Sequence, residues 1–424
     1  MESSQPSLRW EELLNKAKPY EISKRLVYDA YKQVKANGGA DGIDRQSIED
    51  FERDLKGNLY KVWNRMSSGS YFPPAVLGVK IPKSDGGERL LGIPTVADRI
   101  AQTVVKLTVE PTMEPYFHED SYGYRPNKSA TDAIGVARKR CWRYDWVIDL
   151  DIKGFFDHLD HNLAMKAVRK HVKESWAILY IERWLKAPMQ QGESLINRDL
   201  GTPQGGVISP LLANLFLHYA FDEWMRRNHP NIPFERYADD VVLHCKSEKQ
   251  AQFIKDRVAK RLMQCGLELH PRKTRIVYCQ DDDRRQSYPI NEFDFLGYTF
   301  RKRGCRTKAG KLFVGFSPAV SDKAKKEIRK TIRGWRIHLW SGATLRSIAK
   351  EINPVVRGWI NYYGEYYRSE LRFSLQQIDA YLIRWVKTKY KRLRGRQVKA
   401  ARTVRQLSQQ APELFAHWKA GFAR

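Results

Sequence analysis

The sequence predicts an α+β protein: an antiparallel sheet backed by helices, followed along the chain by an all-helical domain. Three observations carry this. Asp151, Asp239 and Asp240 stand at the ends of strand-forming runs in the order strand, helix, hairpin, helix, strand, a split β-α-β arrangement. Apolar residues at helical spacing mark amphipathic helices before and between those strands. Beyond Arg301 the composition shifts to helical patterns with basic outer faces.

The acids come first. Tyr237-Ala238-Asp239-Asp240 lies between two strand-forming runs within residues 234–245. Neighbouring side chains of a strand point to opposite faces, so both carboxylates can meet at one spot only if the backbone turns there. Asp tolerates turns, and the stretch reads as a β-hairpin with acids at its tip. A solvated turn would explain an isolated Asp-Asp equally well. Asp151 tips the balance, because it ends an apolar strand where an unpaired charge is costly. Hard oxygen ligands of this kind suit Mg²⁺.

Composition narrows the function. The chain has 424 residues, 42% of them hydrophobic, enough for two or three domains with cores of their own. Its 75 Lys and Arg against 48 Asp and Glu leave a formal charge of +27, spread along the chain. Such an excess calls for a polyanionic partner. No apolar run of about 18 residues exists and the N-terminus is no signal peptide, so nucleic acid in the cytoplasm is expected and a membrane is not. Cys141, Cys245, Cys265, Cys279 and Cys305 are widely spaced, which excludes a paired zinc site and suits a reducing compartment. The 12 Trp and 21 Tyr are mostly core, with some available for base stacking.

The elements follow in order. Residues 23–36 read as a helix capped by Ser23, ended by the turn cluster Asn37 to Gly42. Ile48, Phe51, Leu55, Leu59, Val62 and Met66 mark one helix over 47–66. Residues 76–81 and 88–93 read as a hairpin around Ser84-Asp85-Gly86-Gly87, flanked by Lys83 and Arg89. Those cations could clamp a triphosphate or be solvated charges on an exposed hairpin. Helices follow over 96–110 and after Ser129. The strand at 146–151 runs into Asp149 and Asp151, and Asp157 reads as a helix cap. Helices cover 160–172 and 175–187. Gly201-Thr202-Pro203-Gln204-Gly205-Gly206 opens a helix with Pro210 in its first turn, a weak signal for close approach by a ligand. After the acidic hairpin, Ser247 caps a helix stopped by Gly266, then strand, turn and strand span 267–279. Asp281-Asp282-Asp283 reads as a solvated loop. Residues 293–300 read as a strand pair or hairpin arm. Three helices come last, from Ser321, from Leu345 with a bend or restart at Pro354, and over Leu375 to Tyr390.

Read in order, these motifs resemble the reverse transcriptases encoded by bacterial mobile group II introns (intron maturases). The residues that carry the resemblance are Ile81-Pro82-Lys83, Arg89 to Pro94, Ser121 to Pro126, Asp149 to Asp157, Gly201 to Pro210, Tyr237 to Asp240, Phe295 to Tyr298 and Gly358-Trp359-Ile360-Asn361-Tyr362-Tyr363. The resemblance covers residues 25–395. It implies a right-hand polymerase: an N-terminal extension and start of the fingers over 1–72, fingers and palm over 73–310, and a thumb, the maturase or X domain, over 311–395. Residues 396–424 would be a short basic segment with no endonuclease domain, since they hold no Cys. First-strand primer production by this chain is therefore not expected.

The resemblance also implies roles. Asp151, Asp239 and Asp240, with the Ile152 carbonyl, would bind two Mg²⁺ ions. Lys83 and Arg89 would hold the triphosphate, Gln204 and Gly205 would shape the nucleotide pocket, and Lys273 would sit near the leaving pyrophosphate. Phe156 would be the steric gate against a ribose 2′-hydroxyl. Phe295, Leu296, Gly297 and Tyr298 would steady the primer end. Lys387, Lys389, Lys391 and Arg392 belong to the basic thumb face expected to hold RNA. The expected activity is RNA-directed DNA synthesis by target-primed reverse transcription, with dNTPs, an RNA template, a DNA primer, target DNA and group II intron RNA as partners. A host-adopted enzyme for defence or repair, or a splicing cofactor with an idle polymerase, are the alternatives. The intact acids count against the latter.

Overall fold

The computed structural model describes residues 18–82, 87–306 and 309–424. Within them the strands run β1 Val76–Pro82, β2 Glu88–Ile93, β3 Trp146–Leu150, β4 Met189–Gln191, β5 Ser194–Ile196, β6 Phe234–Tyr237, β7 Asp240–Cys245, β8 Arg275–Tyr278, β9 Phe293–Phe295, β10 Tyr298–Arg306 and β11 Leu312–Val320. They form sheets in the orders β2-β1-β4-β5, β6-β7-β3-β8 and β11-β10-β9. No helix among the described residues is long and apolar enough to cross a membrane.

The chain divides into two compact units. The first holds residues 1–129, 150–241 and 253–274. Its expected hairpin is present, with β1 and β2 antiparallel from Leu77↔Ile93 to Pro82↔Glu88. Lys83, Ser84, Asp85 and Gly86 at its tip lie outside the described residues. The short hairpin β4–β5, which carries no strong strand signal, joins β1 in parallel through Val76↔Met189.

Ser23 caps the helix Lys24–Asn37 as expected, accepting from the Leu26 N–H at 3.1 Å. The helix expected over 47–66 is two, Ile48–Arg53 and Leu55–Ser67. Asp54 between them leaves the helical region and turns its carboxylate to the Gly57 N–H at 3.1 Å, capping the second. The helix Val96–Met113 carries the buried Asp98, whose carboxylate accepts from Tyr71 Oη, Trp184 Nε1 and Gln102 Nε2 at 2.7–2.9 Å. Asp157 is not a helix cap. It ends a single 3-10 turn, and Asp160 caps His161–His171 by accepting from the Leu163 N–H at 2.8 Å. Gly154, with φ +54°, precedes that turn and diverts the chain as it leaves β3.

The second unit holds residues 130–149, 242–252 and 275–424. Here β3 and β8 pair antiparallel from Trp146↔Tyr278 to Asp149↔Arg275. The hairpin arm expected over 293–300 extends much further, with β10 and β11 paired from Tyr298↔Val320 to Arg306↔Leu312. Gly315 and Pro318 mask β11 in the sequence, and both are tolerated because β11 is an edge strand. Asp281 and Asp282 are not merely solvated. Asp281 pairs with Arg284, and Asp282 Oδ2 accepts from the Val314 N–H at 2.6 Å.

Ser321 caps the helix Asp322–Gly334 by accepting from the Ala324 N–H at 3.1 Å. Leu345–Tyr363 is one helix through Pro354, and Arg372–Lys389 follows. Ile328, Ile352, Leu375, Ile378 and Leu382 build the helical core, which also takes in Ala400, Val404, Phe415, Trp418 and Phe422 from the helices Gln397–Gln410 and Ala416–Lys419 and the residues beside them.

Candidate active site

The turn Ala238-Asp239 joins β6 to β7 in the first unit, so the backbone reverses where the two acids stand. Ala238 has φ +56°, a left-handed conformation that costs an L-residue about 1 kcal/mol or more. A buried network holds it there. Arg236 binds Asp222 through Nε and Nη2 at 2.8 and 2.6 Å, and its Nη1 donates to Asn214 Oδ1 at 2.9 Å and to the Ala238 carbonyl at 3.2 Å. Asn214 in turn donates to the Gly123 carbonyl at 2.6 Å. A Cβ on Gly123 would lie 2.5 Å from the Ala238 nitrogen, so only glycine allows this approach. Asp222 reaches Arg236 from a π-helical turn, His218–Asp222, in an otherwise α-helical run.

Asp151 lies in the same unit. Its backbone is fixed by His270, whose N–H donates to the Asp151 carbonyl at 2.8 Å. Ile152 bridges Leu269 antiparallel, and that bridge uses the Asp151 carbonyl and the Lys153 N–H, leaving the Ile152 carbonyl out of the pairing. Lys273 Nζ is 3.6 Å from Asp151 Oδ2. Asp149, two residues earlier, is instead paired with Arg275 at 2.8 Å in the second unit.

The Asp151 charge acts on Asp239. The Asp239 carboxyl is pushed above the usual range, first by burial and then by the Asp151 charge; its own backbone N–H, Arg89 and Arg236 act in the opposite sense. Tyr124, at φ +56° and 6.2 Å ring to ring from Tyr237, is also raised, by burial first and then by Tyr237, Asp239 and Asp240. Asp240 begins β7 and is exposed. Among the described residues no group of three His, Cys, Asp or Glu side chains closes into a metal cage by itself.

Two expected nucleotide-pocket residues meet directly, since Arg89 Nε donates to Gln204 Oε1. The Gln204 carbonyl accepts from the Gly92 N–H at 2.7 Å. Gly205 has φ +118°, and a Cβ there would lie 2.5 Å from the Gly92 oxygen. The same loop fixes Phe156, which is buried against Phe155 with ring centroids 5.4 Å apart. Thr202 donates its N–H to the Phe156 carbonyl at 2.8 Å, and His161 Nε2 lies 2.7 Å from the Gly201 carbonyl, bracing the loop.

The expected primer-contacting residues lie in the second unit. Leu296 and Gly297 form a two-residue turn between β9 and β10, with φ +50° and +79°. Of the four cations expected to hold RNA, Lys387 Nζ binds Gln397 Oε1 at 2.9 Å and Lys389 Nζ binds the Ala343 carbonyl, whereas Lys391 and Arg392 are exposed.

Sequence reading missed Arg236, Asp222, Asn214 and His161. A signal existed for the first two: an Arg inside the run Phe234 to Leu243, and an Asp ending the apolar stretch Leu211 to Phe221, each demand a buried partner.

Two family models match the chain. "Reverse transcriptase (RNA-dependent DNA polymerase)" matches residues 81–300, and "Group II intron, maturase-specific domain" matches residues 325–403. "Protein YkfC" of Escherichia coli (strain K12) is 29% identical over 361 residues, covering 76% of this chain and 91% of that protein. "Group II intron-encoded protein LtrA" of Lactococcus lactis subsp. cremoris is 26% identical over 439 residues, covering 84% of this chain and 71% of that protein. "Nuclear intron maturase 1, mitochondrial" of Arabidopsis thaliana is 30% identical over 93 residues, 22% of this chain and 13% of that protein.

Proposed function

The chain belongs to the reverse transcriptase (RNA-dependent DNA polymerase) family and carries a group II intron maturase-specific domain, and on that footing we propose that it copies group II intron RNA into DNA and binds the same RNA to assist its splicing. The observation that carries the polymerase reading is the backbone reversal at Ala238-Asp239, with φ +56° at Ala238, which sets Asp239 and Asp240 side by side in the unit that also holds Asp151.

The donor set fits a divalent ion. Mg²⁺ in polymerases is held by one or two carboxylates together with substrate phosphates, not by a closed protein cage. Asp151, Asp239 and Asp240, with the Ile152 carbonyl, would hold it. When bound, a pair of such ions would supply activation of the primer 3′-hydroxyl and stabilisation of the departing pyrophosphate.

The protein's own groups do the rest. Arg89, tethered to Gln204, presents a guanidinium for the triphosphate on the side where Asp239 feels its charge. Lys273, whose Nζ is 3.6 Å from Asp151 Oδ2, would meet the pyrophosphate as it forms. Phe156, its backbone fixed by Thr202, fills the space a ribose 2′-hydroxyl would need. dNTPs, an RNA template, a DNA primer and a DNA target at which the intron copy is made complete the proposed reaction.

Primer extension tests this. Wild-type protein with a DNA primer on an RNA template should incorporate dNTPs in Mg²⁺ and stop in excess EDTA. Extension that continues without a divalent ion would overturn the reading of the acids.

A further inference from the structure

The turn Leu296-Gly297 belongs to the reverse transcriptase match, yet what holds it comes from beyond that match. Tyr362, in the maturase-specific match at the end of the helix Leu345–Tyr363, donates its hydroxyl to the Leu296 carbonyl at 2.8 Å. Its own carbonyl, one of the last in the helix, accepts the Tyr298 hydroxyl. Ser321, the N-cap of Asp322–Gly334, donates its N–H to the Gly297 carbonyl at 3.0 Å. Tyr363 closes the remaining side: a Cβ on Gly297 would lie 3.0 Å from its hydroxyl oxygen. The Tyr298 ring, wholly buried, lies 5.8, 5.6 and 5.9 Å from the rings of Tyr362, Tyr363 and Tyr366. Both carbonyls of a left-handed turn, one of them on a leucine that resists that conformation, are thus tied to two helices of the helical domain.

We propose that Tyr362 is a positioning residue for the primer terminus, its hydroxyl holding the Leu296-Gly297 turn in register with the maturase-specific domain. The inference rests on the reading that Phe295–Tyr298 meets the primer end. The turn is half-exposed, so its conformation is set mainly by these bonds. Removing the hydroxyl frees the Leu296 carbonyl and lets the leucine relax. The acids belong to the first unit and Tyr362 to the second.

The experiment compares wild type, Tyr362→Phe and Gly297→Ala by steady-state extension of a DNA primer on an RNA template, with thermal unfolding of each protein. Gly297→Ala distorts the turn itself, through its positive φ and the Tyr363 clash. The expected result is a KM for primer–template raised about 3- to 10-fold in Tyr362→Phe, the range of one hydrogen bond, with kcat and the KM for dNTP unchanged. Gly297→Ala should raise the same KM. An effect of Gly297→Ala without one of Tyr362→Phe would overturn the inference and leave the primer-contact reading standing. No effect of Gly297→Ala on that KM would overturn both. A lower unfolding midpoint and lower kcat in Tyr362→Phe, with KM unmoved, would make Tyr362 a packing residue only.

Discussion

Arg236 Nη2 lies 2.6 Å from Asp222 Oδ2 with both side chains wholly shielded from solvent, and the same guanidinium binds the carbonyl of Ala238 at the turn beside Asp239. A buried pair of this kind is a poor source of net stability but a strong constraint on geometry, and leaving either partner alone is expensive. Asp222→Ala or Arg236→Met should each destabilise the protein by about 3–5 kcal/mol in chemical denaturation. The double variant Asp222→Leu/Arg236→Met should recover much of that loss and still extend primers poorly, because nothing then holds the Ala238 carbonyl. Wild-type extension by a stable double variant would show that the pair does not set the turn.

Asp239 works against the stability of the metal-free protein. Its folded pKa is raised above the unfolded value by burial and by Asp151. The contribution is therefore favourable below the unfolded value, near pH 4, and is lost as pH rises through the raised folded one. Asp239→Asn should raise the unfolding midpoint in EDTA at neutral pH, and the gap should shrink toward about pH 4. Mg²⁺ should stabilise wild type and leave the variant unmoved. A lower midpoint for Asp239→Asn in EDTA would contradict this.

Phe156→Ala should relax sugar discrimination. The ring is fixed by packing on Phe155 and by a backbone held through Thr202, so truncation opens space without moving the chain. The ratio of kcat/KM for dNTP over the matching rNTP should fall by at least about 10-fold, as when a steric block worth a few kcal/mol is removed. An unchanged ratio would make Phe156 part of the core alone.

The four thumb cations should divide into two pairs. Lys391 and Arg392 are exposed, whereas Lys387 and Lys389 are spent on Gln397 and Ala343. Neutralising Lys391 and Arg392 together should weaken intron RNA binding and lower the slope of log K against log salt by roughly 1–2. Neutralising Lys387 and Lys389 should act on stability first. The reverse pattern in a salt titration would place the RNA on the other pair.

What the sequence disclosed was mostly local. Ser23, Ser247 and Ser321 cap helices a few residues away, and Asp239-Asp240 announces its own turn, because both signals are read within one stretch of chain. Asp54 broke an apolar pattern that looked continuous, since its capping bond outweighs one more turn of an exposed helix. Strand β11 was hidden by Gly315 and Pro318, whose tolerance depends on lying at a sheet edge. The supports of the site were the least legible. Arg236 finds Asp222 from 14 residues away, and Tyr362 finds Leu296 from 66. Neither partner is marked by spacing, only by the need of a buried charge or a strained turn for one.

On the proposed function one chain holds two jobs, DNA synthesis at the acids and RNA binding by the helical domain, with the chemistry of splicing left to the RNA. The most direct test assays primer extension and splicing of a cognate group II intron with the same preparation of Asp239→Ala/Asp240→Ala protein. Extension should fall by at least about 1,000-fold, because charge stabilisation in the transition state is lost, while assisted splicing stays near wild type. Normal extension, or splicing lost in step with extension, would contradict the account.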